Sequence, residues 1–517
     1  MTRRSLPIGI QTFRKIREGD CYYVDKTGFA LRLIAEGTHY FLSRPRRFGK
    51  SLFLDTLAEL FSGNQALFQG LEAEGRWDWS RRFPVIRLSF AEGVLRNRAE
   101  LDEKIAEVLA ENEARLEVTS PHRSRSGRFH GLIAAAHARY GERVVVLVDE
   151  YDKPILDNIG DPETARAMRD GLRDLYSVIK GQDAHIRFAF LTGVSKFSKV
   201  SLFSGLNNLF DLTVSADYSA ICGYTEADLD QVFAPELAGL DRDQIRAWYN
   251  GYNWTGEAVY NPFDVLLLFR ERQFRPWWFE TATPTFLIDV LTSRQVFVPD
   301  LEHWQTSERL LSAFDVDHIS TEALLFQTGY LTIEAVNQLG AFIQYRLRYP
   351  NQEVRASLNG ALLDALTARS SATAANTARL YHLLLANDFP ALHQLVAAFY
   401  DGIPHDWYRN NPIAQYEGYY ASVFYAYFAS LGLDLTPEES SNAGRLDLTL
   451  RFNGQIYLIE FKLVESTPEG RALEQIKARG YADRHRGMNQ PIHLIGVEFS
   501  RRQRKLVGFE VETLAGE

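Results

Sequence analysis

Apolar and polar residues alternate along this chain in two distinct periods, and the changes between them mark its elements. Short continuous apolar runs, at His39 to Leu42, Pro84 to Phe90, Val144 to Val148 and Arg187 to Leu191, have strand length and end in polar turns. Runs of this kind read as strands buried on both faces. Between them the spacing turns helical: Leu52, Phe53, Leu54, Leu57, Leu60 and Phe61 share a stripe, Lys26 to Glu36 forms another helix, and Arg98 to Leu116 places Leu101, Ile105, Val108 and Leu109 on one face. Ser120 to Arg128, rich in Ser, Arg and Pro, reads as a loop. Strand and helix alternate as far as about residue 215, which predicts a largely parallel sheet with helices on both sides.

The pattern is mainly helical from about Thr225 to Leu311, where Trp248, Trp254, Trp277, Trp278 and Trp304 are expected in the core rather than as base-stacking platforms. Gly329 to Val336 and Ala341 to Arg348 alternate around Asn337-Gln338-Leu339-Gly340 and predict a hairpin, read equally well as part of a winged-helix segment or as a plain structural hairpin. Asn351 to Tyr400 returns to helix.

The sharpest geometry lies in Arg445 to Leu463, where two alternating runs flank Asn453-Gly454, a strong signal for a two-residue hairpin turn. If Phe452 faces Gln455, Asp447 lies opposite Glu460 with Cβ atoms about 4.5 to 5.5 Å apart, and Lys462 follows on the same face. Two opposed carboxylates need a cation or a raised pKa. A hard divalent metal, with Mg2+ the first choice, meets that need, and Lys462 would offset charge developing at phosphorus. The other reading is a solvated face of surface ion pairs.

Phe41 to Ser51 is strand, loop and helix, a geometry that aims backbone N-H groups and a helix dipole at an anion. Gly49, Lys50 and Ser51 match the end of the phosphate-loop pattern, with Ser51 a ligand for Mg2+. Arg44 stands where that pattern begins with glycine, and a turn ending in a solvated Lys-Ser is the alternative. The buried run Val144 to Val148 ends in Asp149-Glu150, at the strand end where open α/β sheets bind ligands. Asp149 would hold the Mg2+ and Glu150 would orient or deprotonate water. Thr192, at the end of another strand, is a candidate phosphate sensor or a simple strand-end cap.

A chain of 517 residues predicts two to four domains, and 46% hydrophobic with 24% charged residues is a globular balance. No run approaches the roughly 18 to 20 apolar residues of a membrane span. With no signal-like segment after Met1 and only Cys21 and Cys222 as thiols, a cytoplasmic protein is expected. A net charge of -9 argues against coating nucleic acid by bulk electrostatics. Local basic patches are Arg123, Arg125 and Arg128, and Arg501, Arg502, Arg504 and Lys505, each read first as solvated surface.

Arg44 to Ser51, the strand ending in Asp149-Glu150-Tyr151-Asp152, and Leu191-Thr192-Gly193-Val194-Ser195 together resemble the bacterial AAA-ATPase-like family, and Asp447, Glu460 and Lys462 resemble the signature of the PD-(D/E)XK nuclease superfamily, which that family commonly carries at its C-terminus. Trp248 to Tyr252, Trp278 to Thr281 and Tyr349 to Arg355 are similar too, so the resemblance spans nearly the whole chain. It implies an α/β fold: a P-loop NTPase core with a parallel sheet (1–222), a helical lid (223–320), a hairpin and helical spacer with a candidate winged-helix segment (321–404), and a small nuclease-like α/β domain (405–517).

The resemblance also implies ATP held by Arg46, Arg47, Gly49, Lys50, Ser51, Asp149 and Thr192, with Glu150 catalytic. In the second domain it adds Glu417 as a metal-binding carboxylate beside Asp447 and Glu460, and Gln475 as a catalytic partner, with Tyr481 further along. Leu446 replaces the usual proline before Asp447. The expected function is an ATPase coupled to metal-dependent cleavage of nucleic acid, DNA first, without a membrane partner. Homo-oligomers are open, since helical lids often lend an arginine to a neighbour's nucleotide. The competing expectation is a nucleotide-dependent switch whose C-terminal domain binds nucleic acid or protein without cutting.

Overall fold

A computed structural model describes residues 3–196, 208–282, 285–294, 296–311, 314–367, 373–401, 417–441, 444–503 and 505–515. They form two compact units, one of Met1–Ala282 with Gln305–Asn351 and one of Thr283–Trp304 with Gln352–Glu517.

The first unit is built on five parallel strands, β1 (His39–Ser43), β2 (Val85–Ser89), β3 (Val144–Asp149), β4 (Ile186–Gly193) and β5 (Phe210–Asp211), in the order β2-β3-β4-β1-β5. Every residue of β1 and β3 is buried, as their unbroken aliphatic runs predict for strands covered on both faces. Register aligns the carboxyl ends: Ser43 pairs with Gly193 and Ser89 with Asp149. Hydrogen bonding continues past those ends, from Arg44 N-H to the Gly193 carbonyl at 3.2 Å and from Tyr151 N-H to the Thr192 carbonyl at 3.2 Å. The loops after β1 and β3 are thus both tied to β4, which lies between them.

Arg98–Leu116 is helical over the predicted span, capped by the Asn97 side chain. The expected loop Ser120 to Arg128 is corrected. A helix runs Arg125–Tyr140, because the Ser124 side chain accepts from Gly127 N-H and starts the helix inside the polar stretch. The supposed basic patch goes with it, since Arg125 pairs with Asp102 and Arg128 with Glu113.

Helices Glu226–Val232, Arg242–Tyr249 and Pro262–Glu271 close around Tyr22, Val24, Phe233, Tyr249 and Phe269 in a core of their own. Trp254 and Trp278 are buried, as expected of core aromatics. Further strands are β6 (Trp304–Ser307), β7 (Phe314–Asp315), β8 (His318–Ile319), β9 (Thr332–Leu339) and β10 (Phe342–Arg348), with β6-β10-β9 forming one small sheet. The hairpin turns at Gly340-Ala341, two residues later than the sequence pattern centres it. Gly329, at φ 91°, is spent closing the preceding helix Thr321–Thr328, and Gly340, at φ 65°, makes the turn.

In the second unit β11 (Asp434–Ser441), β12 (Gly444–Phe452), β13 (Gln455–Val464), β14 (Ile492–Ser500) and β15 (Lys505–Leu514) form a mixed sheet in chain order, parallel only between β13 and β14. The helix Arg471–Ala478 makes that parallel crossover. Asn453 and Gly454 turn the β12-β13 hairpin with φ of 48° and 69°, the backbone such a turn requires. The helix Glu417–Ala429 is buried from Tyr420 to Ala429, and an element apolar all round belongs inside.

Gly193 shows how tightly the ends of β3 and β4 are joined: a Cβ there would meet Asp152 Oδ1 at 2.2 Å and the Tyr151 ring at 2.6 Å. Gly193→Ala should therefore destabilise the first unit by about 1 to 3 kcal/mol. A urea midpoint equal to that of the parent protein would show that this close approach does not matter.

Candidate functional site

The phosphate-loop segment leaves β1 at Ser43 and re-enters helix at Lys50–Phe61. Gly49 takes φ 90° at the helix start, a backbone that favours glycine. Lys50 is buried, and its Nζ donates to the Arg44 and Pro45 carbonyls, both at 2.9 Å. Burial pushes the ammonium pKa down, while Asp149, Glu150 and Asp152 act against that. Ser51 sits in the first turn of the same helix.

Arg44, the departure from the phosphate-loop pattern, is fully buried. Its guanidinium donates to the carbonyls of Ser43 and Thr213 at 2.9 Å and of Tyr218 at 3.0 Å, and it lies over the Trp254 ring at 3.9 Å. Burial lowers its pKa to about 10. This arginine braces the loop from behind. Phe48 packs edge-on against Tyr252 and Trp254, Trp278 Nε1 donates to the Arg46 carbonyl at 3.2 Å, and Arg47, exposed and at φ 68°, lies over Phe263. Nothing in the local sequence of Arg44 signals that role, because its partners lie some 170 residues away.

Across the strand ends, Asp149 is buried and Glu150 follows at φ 47°, with burial raising the Glu150 pKa and Lys50 opposing it. A residue other than glycine held in the left-handed region marks a position whose surroundings impose the backbone. Asp152 serves differently: its carboxylate accepts from Ser195 N-H at 2.6 Å and from the N-H of Val194, so it clamps the end of β4. Thr192 is fully buried and donates its hydroxyl to the Leu42 carbonyl at 2.9 Å, which ties β4 to β1 and places it as a strand-end tie. Beside Gly49 a cleft is lined by Val24, Phe53, Ile221, Tyr224 and Pro262, an apolar wall next to the loop.

In the second unit the hairpin register runs as the sequence implies, Phe452 opposite Gln455 and Leu448 opposite Ile459. One step further Asp447 leaves the ladder: its Oδ2 accepts from Phe461 N-H at 2.8 Å. Glu460 is buried, and its pKa is pushed up to about 7 by burial first and by the Asp447 charge second, with Lys462 acting against both. Lys462 Nζ donates to Glu460 Oε1 at 3.0 Å, and Gln475 Nε2 donates to the same oxygen. Glu460 Oε2 is buried with no hydrogen-bond partner among the described residues. Asp447, Glu460, Lys462 and Gln475 therefore come together. Glu417 begins its helix, but its side chain lies outside the described residues.

Among the described residues no group of three or more His, Cys, Asp or Glu is arranged to hold a metal ion, so Asp447 and Glu460 stand as a pair. A buried carboxylate oxygen without a partner, beside a second carboxylate, is the arrangement a divalent cation would complete.

Two supports were not legible. Gly496 pairs with Glu460 across β13 and β14, and a Cβ on it would sit 2.5 Å from Leu473 N, so the missing side chain lets the Gln475 helix close on the sheet. Glu498, buried, accepts from Glu469 N-H at 2.6 Å and Ala472 N-H at 3.3 Å and so caps that helix from the neighbouring strand. An acidic residue within the apolar run of β14 was the available signal. Tyr481 also lies close enough for the Glu460 charge and the Gln475 side chain to act on its hydroxyl.

Residues 7–203 match a predicted AAA-ATPase family and residues 415–509 match the PD-(D/E)XK nuclease superfamily. An uncharacterized protein in the vnfD 5' region of Azotobacter chroococcum mcd 1 is 66% identical over 515 residues, covering 99% of this chain and 100% of that one. The chain belongs to the bacterial AAA-ATPase-like family with a C-terminal PD-(D/E)XK nuclease superfamily domain. No solved structure matches it. The α/β architecture of a P-loop-like parallel sheet and a PD-(D/E)XK-like mixed sheet is that of the family, and among the described residues no helix is long and apolar enough to cross a membrane.

The raised Glu460 pKa sets a pH dependence. With a folded value near 7 against an ordinary 4.5, the folded state holds the extra proton, so this group's contribution to stability falls as pH rises from about 4.5 to 7. Glu460→Gln should flatten that slope, melting above the parent at pH 8 and close to it at pH 4. Parallel melting curves at both pH values would contradict the burial of this carboxylate.

Proposed function

We propose that the protein hydrolyses ATP in its first unit and that this governs a Mg2+-dependent phosphodiesterase in its second, acting on DNA in the cytoplasm. The observation that carries the nuclease half is Glu460: a buried carboxylate facing Asp447, with one oxygen held by Lys462 and Gln475 and the other without a partner among the described residues. Asp447 and Glu460 would hold the metal, joined by Glu417. A bound Mg2+ supplies Lewis acidity and lowers the pKa of water. Lys462 then sits where it balances charge growing at phosphorus, and Gln475 keeps Glu460 in orientation.

In the first unit, Lys50, Ser51 and the backbone of the loop would hold the triphosphate, Asp149 its Mg2+, and the cleft beside Gly49 the base. Glu150, with its pKa raised by burial, is suited to take a proton from the attacking water. Both cysteines are buried and unpaired, which fits a reducing compartment.

The test is cleavage of single-stranded and duplex DNA by the purified protein, with and without Mg2+ and ATP. Asp447→Ala should abolish cleavage, by about a hundredfold or more, and leave ATP turnover intact. Lys50→Ala should abolish turnover. Cleavage that survives Asp447→Ala would remove the nuclease assignment, and metal-independent binding without cutting would favour a switch.

A further inference from the structure

The loop after β1 carries three arginines, and the structure gives them different work. Arg44 is buried against three carbonyls and Trp254, and Arg47 lies over Phe263. Arg46 is exposed at the loop surface, on the same strand-end edge as Glu150. Its positive charge acts on Glu150 and on the Tyr330 hydroxyl. Its backbone is held from the far side by Trp278 Nε1, while its neighbours are pinned by Gly329 packing under Pro45 and by the aromatic seat of Phe48. An arginine presented from a braced loop loses little freedom when it engages a ligand.

Charge balance at this edge asks for such a group. Asp149, Glu150 and Asp152 converge near Lys50, whose ammonium already serves two loop carbonyls. An incoming triphosphate adds further negative charge. We propose that Arg46 is a catalytic residue supplied in cis, which stabilises the charge on the outer phosphate as it is transferred to water and leaves Glu150 to take the water proton. In that step the bond from water oxygen to the γ-phosphorus forms and the bond to the bridging oxygen of ADP breaks. The water proton passes to Glu150, and Arg46 donates hydrogen bonds only. The inference rests on the ATPase reading above and adds that the arginine comes from the chain's own phosphate loop rather than from a neighbouring subunit.

The full-length parent, Arg46→Ala, Arg46→Lys and Lys50→Ala are compared by steady-state ATP turnover and by calorimetric binding of ADP with and without aluminium fluoride, which mimics the transferring phosphoryl group. Arg46→Ala should lose about a thousandfold in kcat while ADP affinity changes by less than about threefold. The aluminium fluoride complex should be lost in Arg46→Ala and weakened in Arg46→Lys, and the parent's rate per chain should not depend on protein concentration. The proposal is overturned if Arg46→Ala turns over like the parent, if ADP affinity falls in step with kcat, or if mixing Arg46→Ala with Lys50→Ala restores turnover. A parent that turns over no ATP overturns the ATPase reading itself, and this inference with it.

Discussion

Carboxylates withdrawn from water and set beside one another are what both halves of this protein are arranged to tolerate. An ionised group in a poorly solvated place is costly unless an opposite charge stands close by. At the ends of β3 and β4, Asp149, Glu150 and Asp152 share one buried ammonium, that of Lys50. At the end of the β12-β13 hairpin, Glu460 faces Asp447 with Lys462 as partner, and its pKa still stands near 7. In each place the carboxylates outnumber the lysine that stands among them, and it is this imbalance on which the proposed metal and nucleotide sites rest.

Holding such groups in position takes supports that have no chemistry of their own. Arg44 and Asp152 are both charged, yet each is spent on backbone: the first on carbonyls behind the phosphate loop, the second on N-H groups at the end of β4. Gly193 and Gly496 act by what they lack, since a methyl group at either position would push apart the segments that carry Tyr151 and Asp152, or Leu473 and with it Gln475. Glu498 caps the Gln475 helix from a neighbouring strand. The side chains that would do chemistry are few, and more residues are committed to keeping them still.

Much of this was legible in one dimension, for reasons of local physics. Period and turn chemistry located β1, β3 and β4, the helix after the phosphate loop and the Asn453-Gly454 hairpin, because a two-residue turn sets register and register sets which side chains meet. That register pointed to Asp447, Glu460 and Lys462 as neighbours, although the ladder itself ends at Leu448 and Ile459 and Asp447 reaches the backbone of Phe461 instead. Local signals failed where a residue serves two uses. Ser124 starts a helix in a stretch that composition assigns to a loop, and Gly329 ends a helix where the pattern begins a strand.

What the amino-acid order determined by itself was the set of elements, their period and the pairing across one tight turn, all of which depend on neighbours a few residues apart. The tertiary structure alone decided that Arg44 is a buried brace while Arg46 stays exposed, that the Thr192 hydroxyl is spent on Leu42, and that Gly496 admits the helix bearing Gln475. Those outcomes turn on contacts between residues tens to hundreds of positions apart, and on burial, which no stretch of sequence carries within itself.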